Sequence, residues 1–354
     1  MGLDAEEDLG ELGVLIAEGS PGKVRPSAAA ALRSEPSVLW VEEDYYLPNW
    51  LVDMPTLGQT HFPSLLQLQA ALPKLTLPSQ TEGELPWGIR RVNAPAAWSA
   101  TQGAGVRVAV IDTGIDSKHP DIAPNYAGGY NALEKDKAPM DDNGHGTHVA
   151  GTIAAAKDEK GVVGVAPKAR LYAVKVLDAD GGGTLTGIIK GIVWCARNNI
   201  QVANMSLGAP TGSFFMHLAV KYAKMKGVTI VAAAGNSGKS VSYPGGYEEV
   251  IGVAASDAGN RIAPWSSRGP EVDLIAPGVD VLSDEPGGGL AVHSGTSMAT
   301  PHVAGLAALA VTQGAGSPQA VRAVLLGAAE RLPGLSGEQQ GAGLVNAQKL
   351  LKRR

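Results

Sequence analysis

From about residue 106 onward the chain alternates short β-branched apolar runs with longer stretches in which apolar residues recur every three or four positions. The short runs predict buried strands at 106–111, 171–176, 202–206, 228–234, 250–254 and 272–275. The longer ones predict helices at 145–156, 186–198, 214–226, 298–311 and 318–329. Strands apolar on both faces and alternating with helices argue for a parallel sheet, and right-handed crossovers put helices on each side of it. The expected fold is α/β, three layers α/β/α around a mainly parallel central sheet.

Several runs end in residues that carry chemistry. In GTSMATPHVAG (295–305), Ser297 stands at the mouth of a helix of small and apolar residues, and Pro301 suits its first turn. A serine there is a good helix cap. It is also a hydroxyl beside backbone N–H groups that favour negative charge. The strand at 106–111 delivers Asp112 and the turn Asp-Thr-Gly from its C-terminal end, where active sites of parallel sheets collect. Asp-Thr-Gly can be a plain turn. As an aspartic-protease triplet it would need a partner carboxylate, and no second copy occurs. In DDNGHGTHVAGT (141–152), glycines flank His145 and leave its imidazole open. His148 reads as a helix-packing residue, and no Cys or carboxylate cluster completes zinc-ligand spacing around the two. In VAAAGNSG (231–238), Asn236 serves either turn chemistry or, through its amide, an oxyanion. A serine nucleophile needs such a set: a base, a carboxylate that orients the base, and oxyanion donors.

Composition narrows the picture without deciding it. A chain of 354 residues can hold one large α/β domain and a small one. The net charge of −5, with no basic stripe carrying aromatics, argues against a nucleic-acid partner. Cys195 is the only cysteine, so no intramolecular disulfide forms; it falls near the apolar face of a helix, as a buried thiol would. No run approaches the roughly 20 apolar residues of a membrane span. The glycines at 287–289 lack the lysine of a phosphate cradle.

Taken together and in order, IDTGID, NGHGTHVAGT, NMSLGAP, AAAGNSG and GTSMATPHVAG resemble the subtilisin-like serine proteases, or subtilases, over about residues 85 to 350. The chain order Asp, His, Ser is that of a subtilisin. The resemblance implies Ser297 as nucleophile, His145 as general base and then acid, Asp112 as the group that holds the imidazole, and Asn236 with the Ser297 N–H as oxyanion hole. The implied reaction is peptide-bond hydrolysis through an acyl-enzyme on polypeptide substrates. Asp116 is expected to be structural. An extended substrate would pair with Ser206, Leu207 and Gly208 on one side and Gly181 to Gly183 on the other. Ala233, Ala234, Gly235 and Ser206 to Gly208 would wall the S1 pocket, with Ser242 near its base. None of these is acidic, so an apolar or aromatic P1 residue is expected. Leu185 and Ile188 match the S4 wall, where many relatives carry an aromatic in place of Leu185. A structural Ca2+ is implied at Asp121, with the loop from Ala156 through Asp158 and Lys160 to Val162 supplying carbonyls and one side chain. The glutamine ligand of the family's mature N-terminus has no counterpart at the matched Gly83, although Glu82 and Glu84 flank it.

The first 84 residues differ in character. Residues 35–44 resemble the last helical turn and strand of a subtilase propeptide, with further candidate elements only at 13–17 and 27–34. The expected organisation is a partial propeptide-like, inhibitory α+β segment at 1–46, a linker or processed extension at 47–81 with one candidate helix at 64–72, and a catalytic domain at 82–354. Self-cleavage of such a zymogen would fall near Trp50, favoured by an apolar S1 pocket, or near Thr81. The first residues lack the basic and apolar regions of a signal peptide, so the chain as written reads as cytoplasmic, and as exported if its start is truncated. Two other readings share the motifs: a non-catalytic or latent peptide-binding relative, and a transpeptidase using the same acyl-enzyme.

Overall fold

A computed structural model describes residues 85–351 continuously, together with 3–9, 12, 14–19, 33, 38–42 and 44–51. The strands in chain order are β1 (Leu3–Leu9), β2 (Val14–Gly19), β3 (Tyr46–Leu47), β4 (Arg107–Asp112) and β5 (Tyr126–Asn131). Then come β6 (Arg170–Lys175), β7 (Gly183–Thr184), β8 (Val202–Met205), β9 (Thr229–Ala233) and β10 (Ile251–Ser256). The last are β11 (Val272–Pro277), β12 (Val281–Glu285), β13 (Gly289–His293), β14 (Ala329–Glu330) and β15 (Leu344–Val345). Five helices of ten residues or more are α1 (His145–Ala154), α2 (Leu185–Arg197), α3 (Phe214–Met225), α4 (Thr296–Thr312) and α5 (Pro318–Gly327).

Nine strands form one sheet in the order β14-β15-β11-β10-β9-β8-β4-β6-β5, parallel throughout except for β14. The expected three-layer α/β/α architecture is therefore present. The strand order reverses about β4, which has β6 on one side and β8 on the other. Such a switch point opens a crevice at the carboxyl ends of the strands, and the ends it exposes are Asp112 and the run after Met205.

Two apolar clusters cover the two faces. One joins α1 and α4 to β4, β10 and β11, and the other joins α2 and α3 to β6, β8 and β9. Helix α4 is buried at 15 of its 17 positions. A helix that is apolar all round can be placed only inside, so its N-terminal end is fixed with the precision of the core. Glycine makes one close approach possible: a Cβ on Gly305 would stand 2.5 Å from Val165 Cβ.

Six strands and five helices fall within a few residues of the expected ranges. Other elements do not. Strand β5 was not expected, because Gly128 and Gly129 break its apolar pattern; a Cβ on Gly129 would meet Ala173 O at 2.0 Å. The hairpin β12–β13 was also missed, and Gly287 and Gly288, both at positive φ, make its turn. At the N-terminus, β1 and β2 form an antiparallel hairpin, of which only the second strand overlaps an expected element. The described residues within 35–44 form no strand, and a short one, Tyr46–Leu47, follows them and pairs with β7. The candidate elements at 27–34 and 64–72, Thr81 and Glu82 to Glu84 lie outside the described residues, apart from Arg33.

Candidate active site

Asp112 ends β4 and is fully buried. Its Oδ1 accepts from Thr113 N at 2.8 Å and faces His145 Nδ1 at 2.7 Å. No protein donor reaches Oδ2, so the charge of this carboxylate is directed at the imidazole. His145 is the first residue of α1, and Gly144, at φ 110°, turns the chain into the helix.

One carboxylate outside the expected set builds this corner. Asp141 Oδ1 accepts from Thr113 Oγ1, Asn143 N and Gly144 N, while Oδ2 accepts from Thr147 N and Thr147 Oγ1, all at 2.6–3.0 Å. Thr113 Oγ1 in turn accepts from Gly146 N at 2.9 Å. The turn after β4 and the first turn of α1 are thus bonded to one anion, which also suits the positive end of a helix. Burial works against that charge, but the donors outweigh it and hold Asp141 below the ordinary carboxylate range. The sequence signal was available: an acid four residues before the histidine, at the entrance of its helix. Lys175, buried at the end of β6, closes the other side by donating to Thr113 O, Leu177 O and Asp142 Oδ1.

Burial alone would lower the pKa of His145. The charge of Asp112, its hydrogen bond and the charge of Asp141 together reverse that, so His145 is held above the ordinary histidine value. The imidazole is therefore a stronger base than a free histidine and is stabilised when protonated. His148 does what its position suggested: it is fully buried and Nε2 contacts the carbonyls of Val281 and Ala291, docking α1 on the hairpin. His293 stacks on it at 4.4 Å between ring centroids, and burial with the charge of His145 lowers the pKa of His293.

Ser297 is the second residue of α4 and is buried. Its Oγ donates to Ser206 O at 3.0 Å, and Ser206 Oγ donates back to Ser297 O at 2.7 Å. Asn236 follows β9, and its Oδ1 accepts from both Thr296 N and Thr296 Oγ1 at 2.9 Å. Thr296 Oγ1 also accepts from Gly235 N at 3.1 Å. With Oδ1 occupied twice, the amide nitrogen is oriented toward Gly295, where an added Cβ would stand 3.4 Å from it. Thr296 is a positioning residue that sequence reasoning did not single out.

The groove residues meet around the N-terminal segment. Strand β3 pairs antiparallel with β7, Leu47 opposite Gly183 and Tyr46 opposite Thr184. Leu185 N donates to Tyr45 O, Trp50 N to Gly181 O and Gly208 N to Trp50 O, at 3.1, 3.0 and 2.8 Å. The Trp50 indole N–H donates to Gly183 O at 2.8 Å, and its side chain, 0% exposed, belongs to the apolar cluster of Leu185, Ile188 and Leu207. Ala234 belongs to the other cluster. Ser242 N donates to Ala234 O, and a Cβ on Gly235 would lie 2.5 Å from Ser242 Oγ. Ala233 and Ala234 are fully buried. Asp121 and the loop that follows α1 are joined by Ala156 N to Asp121 O and Val162 N to Asp121 Oδ2, at 2.8 and 2.9 Å. Asp158 is exposed, with Oδ1 accepting from Lys160 N. Asp116 ties the hairpin turn through Gly287 N, and Cys195 is buried with its thiol pKa pushed up by burial.

The family model for the subtilase family matches residues 103–344. The chain belongs to the subtilase family. It is 49% identical to Subtilisin BL of Lederbergia lenta over 267 residues, 75% of this chain and 97% of that protein. It is 42% identical to an alkaline protease of Shouchella clausii over 329 residues, 92% of this chain and 77% of the relative. Subtilisin E of Bacillus subtilis strain 168 is 43% identical over 293 residues, 81% of this chain and 68% of that one. Like them, this subtilase is a serine endopeptidase, a hydrolase.

Because the folded pKa of Asp141 lies below its unfolded value, its contribution to stability is complete above about pH 4 and is lost as pH falls through the folded value. Asp141→Asn in a Ser297→Ala background is expected to lower stability at neutral pH by about 1–3 kcal/mol. Urea unfolding at a series of pH values checks this: the gap to the parent should shrink in acid, and a gap that grows there would refute the assignment.

Proposed function

We propose that this subtilase is made as a zymogen whose residues 44–51 lie in its own substrate groove, and that Asp112, His145, Ser297 and Asn236 cleave peptide bonds laid along that groove. The observation that carries the reading is the seating of Tyr45 to Trp50 between the backbones of Gly181–Leu185 and Gly208, a strand-addition mode in which main chain binds and pockets select. Two acids support it: Asp44 Oδ1 accepts from Thr186 N in the first turn of α2, and Glu42 Oε2 from Ser213 Oγ and Phe215 N at the start of α3. Negative side chains on two helix N-termini stabilise those helices while the segment stays in place.

In the reaction, the Ser297 hydroxyl turns from Ser206 O to His145 Nε2 and attacks the carbonyl carbon as His145 takes its proton. The Asn236 amide and the Ser297 N–H receive the oxyanion. His145 then gives the proton to the leaving amine, and water completes hydrolysis of the acyl-enzyme by the same route. Asp112 holds the imidazole with Nδ1 toward itself and stabilises the imidazolium. A calcium ion fits at Asp121, whose buried carboxylate is bonded to the loop carrying Ala156, Asp158, Lys160 and Val162; it would be structural.

The packing of Trp50 with Leu185 and Ile188, the pair matched to the S4 wall, supports a cut beyond Leu51. N-terminal sequencing of the active form should find a start C-terminal of Leu51, absent in Ser297→Ala; a mature chain beginning at Leu51 would contradict it. With no acid among the S1 walls, a peptide library should show cleavage after apolar or aromatic residues, and cleavage mainly after Lys or Arg would overturn that preference.

A further inference from the structure

His293 ends β13, four residues before Ser297, and the reaction described above gives it no part. It is half-buried, and among the described residues nothing hydrogen-bonds its ring nitrogens. One face of the ring lies flat on His148, with centroids 4.4 Å apart and planes 4° apart. His148 stands one helical turn after His145, so three imidazoles gather at the start of α1.

Its place in the fold decides what His293 can meet. The seated segment runs from Tyr46, opposite Thr184, to Trp50, which is bonded to Gly181 and Gly208. Gly208 lies two residues after Ser206, whose carbonyl accepts from Ser297 Oγ, so a peptide laid in that direction heads toward Ser297. Up to that point it rests on the side of α2 and α3, with Trp50 in their cluster. Val281, the β12 partner of His293, belongs with α1 and α4 to the cluster on the other face of the sheet. A chain that continues past Ser297 therefore leaves the α2–α3 side and meets the end of the hairpin, where Val292 is exposed and His293 half-exposed.

Of the groups around His293, those on α1 are His148 and His145. On the hairpin, Asp280 precedes β12, is exposed and is bonded to Ser294 Oγ, while Asp284 and Glu285 stand at the opposite end. His148 gives its Nε2–H to the carbonyls of Val281 and Ala291, and its buried Nδ1 has no partner, so that ring is neutral. The groups left to take up a proton here are His145 and His293, and a charge on either opposes a charge on the other. Burial and then the charge of His145 hold His293 below the ordinary histidine value. When Ser297 attacks, His145 is unprotonated and the second of these effects is gone.

We propose that His293 selects acidic side chains in the first residues after the scissile bond: as an imidazolium it pairs with their carboxylate, and as a neutral ring it does not. The inference rests on the reading of Ser297 and the groove given under the proposed function. Such a preference belongs to the leaving peptide and is independent of the apolar pockets on the α2–α3 side. It strengthens as pH falls, because the carboxylate keeps its charge while the imidazole gains one.

The test compares two quenched peptides with one apolar cleavage site, carrying Glu or Gln at the two positions after it, cut by the autoprocessed protein between about pH 5 and 8. The Glu-to-Gln ratio of kcat/KM should rise about threefold as pH falls through the histidine range, and His293→Gln should make it flat. A flat ratio in the parent, or a rise that survives His293→Gln, would overturn the proposal. A second measurement needs no activity. In full-length Ser297→Ala, NMR titration should show His293 taking up a proton at higher pH once His145→Gln removes the neighbouring charge. A His293 that stays neutral down to about pH 5 in that double variant would also overturn it. Failure to cut either peptide would count against the reading of Ser297, and the titration would then decide the fate of His293 by itself.

Discussion

The chemistry proposed for this molecule depends on one contact, the 2.7 Å approach of Asp112 Oδ1 to His145 Nδ1 inside the protein. Two elements far apart in sequence must end at the same place for it to exist: β4 at its carboxyl end and α1 at its amino end. The reversal of strand order about β4 opens the crevice, and the five donors on Asp141 join the two ends across it. Because Asp112 is wholly buried with one oxygen lacking a donor, its field is unscreened by water and acts on the imidazole. This is why a buried histidine, which burial alone would make a weaker base, becomes a stronger one.

The Ser297 side is built on a different principle. Helix α4 has almost no polar face, so packing alone fixes its position, and Thr296 then converts that position into hydrogen bonds that orient Asn236. Small residues let this happen. Gly305 against Val165 and Gly235 against Ser242 are approaches that any side chain would block, and they bring α4 and the strand ends close enough to share one site.

Much of this was legible in the chain because it depends on local pattern. Strands 107–112 and 229–233 are continuous apolar runs, and the motifs around Asp112, His145, Asn236 and Ser297 carry their own turn and helix signals. What was not legible depends on tertiary partners. Asp141, Lys175 and Asp284 were given no role from the sequence, yet each is enclosed or largely enclosed by elements remote in sequence. Strand β5 was hidden by glycines that its contact with β6 demands, and β12–β13 by a polar, half-exposed pattern around a glycine turn. The place of β3 depends on pairing with β7, which no pattern within 35–47 could reveal.

The most direct measurement is an NMR titration of His145 in Ser297→Ala beside Ser297→Ala with Asp112→Asn. The account predicts that the imidazole titrates above the ordinary value of about 6.5 in the first protein and falls when the Asp112 charge is removed. A His145 pKa at or below 6.5, or one that ignores the loss of Asp112, would contradict it.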